Sequence, residues 1–266
     1  MQQFIKYIFD YLKETTDPSH FDKTDLSELS KKGHETQQIL IDCDSCMQRL
    51  YGGFLRDCQS GGDWRKLNEM WLNLKLFCAG YNFELVLFFN GTYDQSKWIE
   101  MQSKEFPKVN KIMNTNEPIG YEDLIELPFL KMQIMFEVIR LNQFSANCAR
   151  NVTFFQSIKD HKKELVEFCL SKKCDILITE DVEVMSLIGL ADNRRHPIQL
   201  FRGQTFSYSS AHKKVYLDRF DMDLVLSKLN MNAKQFALLA FLLENYSSDL
   251  LNGFFERQFN LTKHDV

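Results

Sequence analysis

The chain has 266 residues, 44% of them apolar, which is enough to bury one large core without requiring a second domain. Its net charge of −4 argues against a dedicated duplex-DNA binder, whose phosphate contacts show as a basic excess, while leaving room for a local basic groove. Seven cysteines, an odd number without framework spacing or a secretory segment, read as reduced thiols of a cytoplasmic or nuclear protein.

In chain order, residues 2–13 predict an amphipathic helix with Phe4, Ile5, Ile8, Phe9 and Leu12 on one face, too charged to be a signal peptide or membrane span. Residues 15–37 read as a polar surface connection. A strand at 39–42 (ILID) precedes a helix carrying Met47, Leu50 and Tyr51 and interrupted by Gly52-Gly53. A long helix is expected from Asp63, as N-cap, to about Cys78, and a strand follows at 84–89. A charged helix from Asp94 to about Ile112 leads to a flexible loop at 114–127, then an apolar helix over 129–144. Short strands VTFFQ, ILIT and IQLF follow, the first two separated by the helix DHKKELVEFCLSKK. Helices over about 218–229 and 232–245 precede a tail to Val266. Strands alternating with helices predict an α/β fold, a mostly parallel sheet between helices, within one domain spanning 1–266.

Two strands end an apolar run in an acid: ILID at Asp42 and ITED at Asp181. Such runs read as buried parallel strands delivering carboxylates to the C-terminal edge of the sheet, where open α/β sheets place their ligand crevices. A third strand, ELVLFFN, ends in Asn90 instead. The pattern is that of a metal nuclease with part of its charge removed.

The block ILIDCDSCMQRLYGGFLRDCQSGGDW followed by ELVLFFNG resembles the N-terminal domain of the constitutive coactivator of PPAR-gamma family. That family sits with the Asteroid proteins in a degenerate branch of the flap-endonuclease-like (XPG-like) PIN nucleases. The resemblance continues through FFQSIKDHKKELVEFC, Thr179 to Asp181 and AKQFALLAFLLENY, covering about 39–246. It implies a three-layer α/β/α PIN-like domain. Active relatives cut nucleic acid with divalent metals, and the coactivator branch is regarded as catalytically degenerate and includes RNA-binding scaffolds.

The resemblance also assigns positions. Asp42 matches the first metal acid, and Asp44 is an addition that either faces the same cleft or caps the next helix. Asn90 and Asn245 stand where active enzymes carry aspartate. Asp160 falls near a glutamate pair whose second member is replaced by His161 or Lys162, and its competing role is an ordinary helix N-terminal acid. Asp181 and Glu183 match a D-x-D motif, with a glutamate whose extra methylene suits the magnesium octahedron poorly. The implied set is a vestigial cluster of Asp42, Asp44, Asp160, Asp181 and Glu183, with a weak Mg or Mn site at Asp42, Asp181 and Glu183 and no required cofactor. Flap-type nucleases begin Met-Gly and carry a glycine-rich duplex-holding hairpin. This chain begins Met-Gln-Gln and carries one glycine in 246–266, which argues against flap-DNA cleavage, and its abrupt end reads as a fragment of a longer protein.

Expected partners are proteins of a ribonucleoprotein or silencing complex, with RNA as a second partner, no duplex DNA and no membrane. An RNA-backbone track would use Lys162, Lys163, Arg194, Arg195, Lys213 and Lys214, against the plainer reading of a solvated surface. Phe254, Phe255 and Phe259, if exposed, would offer an adhesive patch. The competing class is a surviving metal-dependent nuclease on single-stranded RNA or DNA. Asp42-Cys43-Asp44 lacks the Thr or Val that dehalogenase-type phosphatases require two residues further on, and Cys43-x-x-Cys46 has no second pair to make a zinc site.

Overall fold

A computed structural model describes residues 23–30, 36–46, 64–91, 152–172, 174–192, 197–209 and 211–245, with isolated helical residues between Ile99 and Asn114. The central sheet has six strands: β2 (Gln37–Asp42), β3 (Phe83–Phe89), β4 (Val152–Gln156), β5 (Ile176–Thr179), β6 (Gln199–Arg202) and β9 (Arg219–Phe220). Their order is β4-β3-β2-β5-β6-β9; all pairings are parallel except the last. A small antiparallel sheet joins β1 (Thr24–Asp25), β8 (Lys214–Leu217) and β7 (Ser207–Ser209).

The central strands are apolar on both faces because both faces are covered. Ile39, Ile41, Leu85, Leu87 and Ile178 pack with Trp71, Leu74 and Phe77 of α1 (Trp64–Gly80). Leu40, Val86, Phe88 and Leu177 face the other way. They meet α2 (His161–Ser171), α3 (Val182–Ala191), α4 (Met222–Leu229) and α5 (Ala233–Asn245). This is a three-layer α/β/α arrangement. The chain steps from β2 to β3 to β4 in one direction, then returns to β5 on the far side of β2. Right-handed crossovers therefore send α1 to one face and α2 and α3 to the other. The reversal opens a crevice between the ends of β2 and β5.

Several elements differ from the sequence reading. The helix expected from 218 begins at Met222, because Arg219 and Phe220 extend the sheet and Asp221 caps the helix by accepting from Leu224 N. Helix α3 was hidden in VEVMSLIGLA, a segment apolar on almost every side and so without a clear helical period. Within 15–37, Thr24–Asp25 pairs with β8 and Leu26–Leu29 form a 3-10 turn that buries Leu26. The β7–β8 hairpin is too short to show as a pattern, and its turn holds Lys213 at φ 53°. Ile99, Ser103, Phe106 and Asn110 are helical, as expected of 94–112. The helix at 2–13, the Gly52-Gly53 break, Asp63, most of 114–127, the helix at 129–144 and the tail 246–266 lie outside the described residues. Among the described residues no helix is long and apolar enough to cross a membrane.

Candidate functional site

Asp42 closes β2 at the crevice, and its side chain is 1% exposed. A carboxylate so deeply buried must have its oxygens satisfied. Oδ1 lies 2.9 Å from His161 Nε2 and accepts a longer bond from Ser45 N at 3.4 Å, while Oδ2 accepts from Thr179 Oγ1 at 2.8 Å. Thr179 Oγ1 also accepts from Asp181 N and contacts Ser45 Oγ at 3.0 Å. Ser45 Oγ in turn accepts from Glu180 N at 2.9 Å. Two hydroxyls and an imidazole thus tie the end of β2 to the end of β5.

Asp181, two residues past β5, caps α3 by accepting from Glu183 N and Val184 N through Oδ1. Its Oδ2 stands 3.1 Å from Lys162 Nζ, which also donates to Glu183 Oε2 at 2.7 Å. His161 and Lys162 are consecutive at the start of α2, and each reaches a different pair of acids: His161 Nε2 is also 4.0 Å from Asp44 Oδ2. Asp44 Oδ2 accepts a short bond from Asn90 N. The Asn90 side-chain oxygen accepts from Ser157 Oγ at 3.4 Å.

The protonation balance follows from these contacts. Burial pushes the Asp42 carboxyl up, but the hydrogen bond and charge of His161, with Ser45 and Thr179, outweigh it and hold the group below its ordinary value. Asp181 goes the other way: burial raises it, and Lys162 does not fully compensate. Glu180 is raised by burial as well, although Arg202 lies 3.3 Å from Oε2 and Gln204 N donates to Oε1.

Asp160 lies at the exposed start of α2, where it accepts from Lys163 N at 3.1 Å as the N-cap. Asn245 is the last residue of α5, and its side chain lies outside the described residues. Of the expected basic track, Lys162 points into the acidic cleft and Lys214 pairs with Asp25. Lys163 is exposed beside Glu167 at 4.0 Å, Lys213 sits exposed in the hairpin turn, and Arg194 and Arg195 lie outside the described residues, as do Phe254, Phe255 and Phe259. Cys43 and Cys46 are both fully buried, with their thiols directed at the carbonyls of Ile41 and Ile178, and burial drives the Cys46 thiol well up. They are core thiols. Gly203 passes so close to Cys46 that an added Cβ would overlap its sulfur.

Residues not foreseen as site members are His161 as a ligand of Asp42, the Ser45 and Thr179 hydroxyls, and the buried Glu180–Arg202 pair. The one local hint was Ser45 three residues after Asp42, the spacing at which a residue in the turn that follows folds back on the strand end.

Two magnesium ions would need open, anionic oxygens in this crevice. The residues as arranged do not fit that demand. Asp42 has both oxygens engaged within the protein, and Asp181 and Glu183 hold an ammonium group between them.

This is an α/β fold with acids at its central strand ends, the architecture that the motifs led us to expect. No protein-family model matches the chain. It is similar to constitutive coactivator of PPAR-gamma-like protein 1 from Bos taurus, 29% identical over 216 residues. It is likewise similar to constitutive coactivator of PPAR-gamma-like protein 2 from Homo sapiens, 25% identical over 220 residues. These matches take in 80% and 79% of the chain, but the chain spans only 18% of the length of either relative. Among solved structures it resembles the catalytic core of Rad2 in complex with DNA substrate, at TM-score 0.47 and 13% identity, covering 85% of this chain and 59% of that one. It also resembles flap endonuclease-1 from Methanococcus jannaschii, at TM-score 0.45 and 12% identity, covering 85% and 69%.

Proposed function

We propose that this chain is a catalytically inactive PIN-like, flap-endonuclease-like domain that serves as a protein-interaction and RNA-binding scaffold in RNA regulation or small-RNA silencing. The observation that carries the reading is the state of Asp42. The acid at the heart of the crevice is 1% exposed and gives both oxygens to His161, Thr179 and Ser45. A metal ligand has to present an open oxygen; this carboxylate uses both of its oxygens to hold β2, β5 and α2 together. The coactivator names of the similar proteins support a role in protein assembly, and the exposed Lys163 and Lys213 supply cations for a phosphate backbone.

The test is incubation of the pure chain with labelled RNA and DNA in Mg²⁺ and in Mn²⁺. The expected result is no cleavage, together with RNA binding at about 50 mM salt that weakens as salt rises. Metal-dependent cleavage abolished by Asp42→Ala would make the chain a nuclease instead. Absence of salt-sensitive RNA binding would leave a purely protein-binding module.

A further inference from the structure

The amides at Asn90 and Asn245 look like the reason for lost metal binding, since each stands where a charge is missing. The geometry around Asn90 points elsewhere. We propose that Lys162 is a resident counter-ion and His161 a resident hydrogen-bond partner, and that these two side chains, rather than the amide at Asn90, exclude divalent cations from the crevice. The inference rests on the inactive reading above and names its cause.

Lys162 Nζ sits 3.1 Å from Asp181 Oδ2 and 2.7 Å from Glu183 Oε2. A magnesium ion bound by the same two oxygens would stand about 2.1 Å from each. The ammonium and the ion would compete for one place, and they would repel each other. His161 occupies the other side, 2.9 Å from Asp42 and 4.0 Å from Asp44. Two consecutive residues thereby engage four carboxylates at or just beyond the ends of β2 and β5.

The positions themselves are telling. The first turn of a helix carries the positive end of the backbone dipole and disfavours cations. His161 and Lys162 occupy the first two positions of α2, with Asp160 as the cap. Their place there is sustained by the acids they face. Asn90 is built differently: its backbone N–H serves Asp44 and its side chain serves Ser157. An acid restored at position 90 would leave both side chains in place.

The experiment is calorimetric titration of MnCl₂ into the wild-type chain, Lys162→Gln, Lys162→Arg, Asn90→Asp and the double variant His161→Gln/Lys162→Gln, with melting temperatures measured with and without Mn²⁺. Wild type, Lys162→Arg and Asn90→Asp are expected to show no saturable site. Lys162→Gln is expected to gain a saturable site and the double variant a tighter one, and Mn²⁺ should raise the melting temperature of both. Retention of exclusion by Lys162→Arg separates a charge role from mere filling of space. Should the double variant fold only with Mn²⁺, the proposal is upheld; should it not fold at all, the part-exposed Lys162→Gln decides. A gain in Asn90→Asp with none in Lys162→Gln overturns it. A wild-type chain that binds Mn²⁺ and cleaves RNA would fell the inactive reading itself, whereas an inert wild type with an equally unresponsive Lys162→Gln fells only this inference.

Discussion

The acidic crevice has two halves that solve the same problem in opposite ways. Around Asp42, burial is almost complete and the partners are neutral hydroxyls and an imidazole. Around Asp181 and Glu183, the partner is a lysine whose side chain is 24% exposed. The first half is held by directional bonds that water cannot replace, the second by charge that water and salt can weaken. The structural role of the crevice therefore resides at Asp42, and its adaptability at Lys162.

The contrast can be broken most forcefully at Asp42. Asp42→Ala removes one partner from a buried, hydrogen-bonded group and should cost about 3–5 kcal/mol of unfolding free energy in a denaturant titration. A cost below about 1 kcal/mol would place Asp42 in the exposed class instead. Thr179→Val keeps the shape and deletes the hydroxyl that serves Asp42 and Asp181 N, so a loss of about 1–3 kcal/mol is expected in the same assay. Lys162→Gln touches only the outer half, whose groups are part-buried, and should cost about 1–2 kcal/mol, with a modest decrease of the difference as salt is raised.

The pH dependence of stability sharpens the comparison, because the two acids carry opposite signs. Asp42 is held below the ordinary 3.8, against the pull of burial and through His161 above all. Its contribution is fully present above about pH 3.8 and is lost as pH falls through the folded value, so Asp42→Asn should flatten the acid limb of a stability profile. Asp181 is held above 3.8 by burial. Its ionisation costs stability as pH rises from 3.8 through the folded value, and Asp181→Asn should remove that decline. Matching signs in the two variants would contradict the division.

Much of the scaffold was legible because the buried parallel strands are continuous apolar runs that stop at polar residues. ILID, ELVLFF and ILIT each lie within or coincide with an observed strand, and Asp42 and Asp181 stand at the crevice as their strand-end positions implied. Helix α3 was not legible, since a segment apolar on almost every side has no clear face to reveal its period. The strands of the β7–β8 hairpin run over only three and four residues, too short for a pattern, although Val215 and Leu217 are buried in the core. The partner of Asp42 was beyond a one-dimensional reading: His161 lies 119 residues away, at the start of the helix that carries the chain from β4 back across the sheet to β5. Lys162 reads as a cation of an RNA-backbone track or of a solvated surface, and as one of two candidates for the replaced glutamate of the family's metal site; only the folded crevice gives it two acids to face.

The most direct test is a crystal structure of the wild-type chain grown in Mn²⁺, read by anomalous scattering at the crevice. The account predicts Lys162 Nζ seated between Asp181 and Glu183, with no manganese peak there or at Asp42. A manganese ion bound by Asp42 and Asp181, with the lysine swung aside, would contradict it.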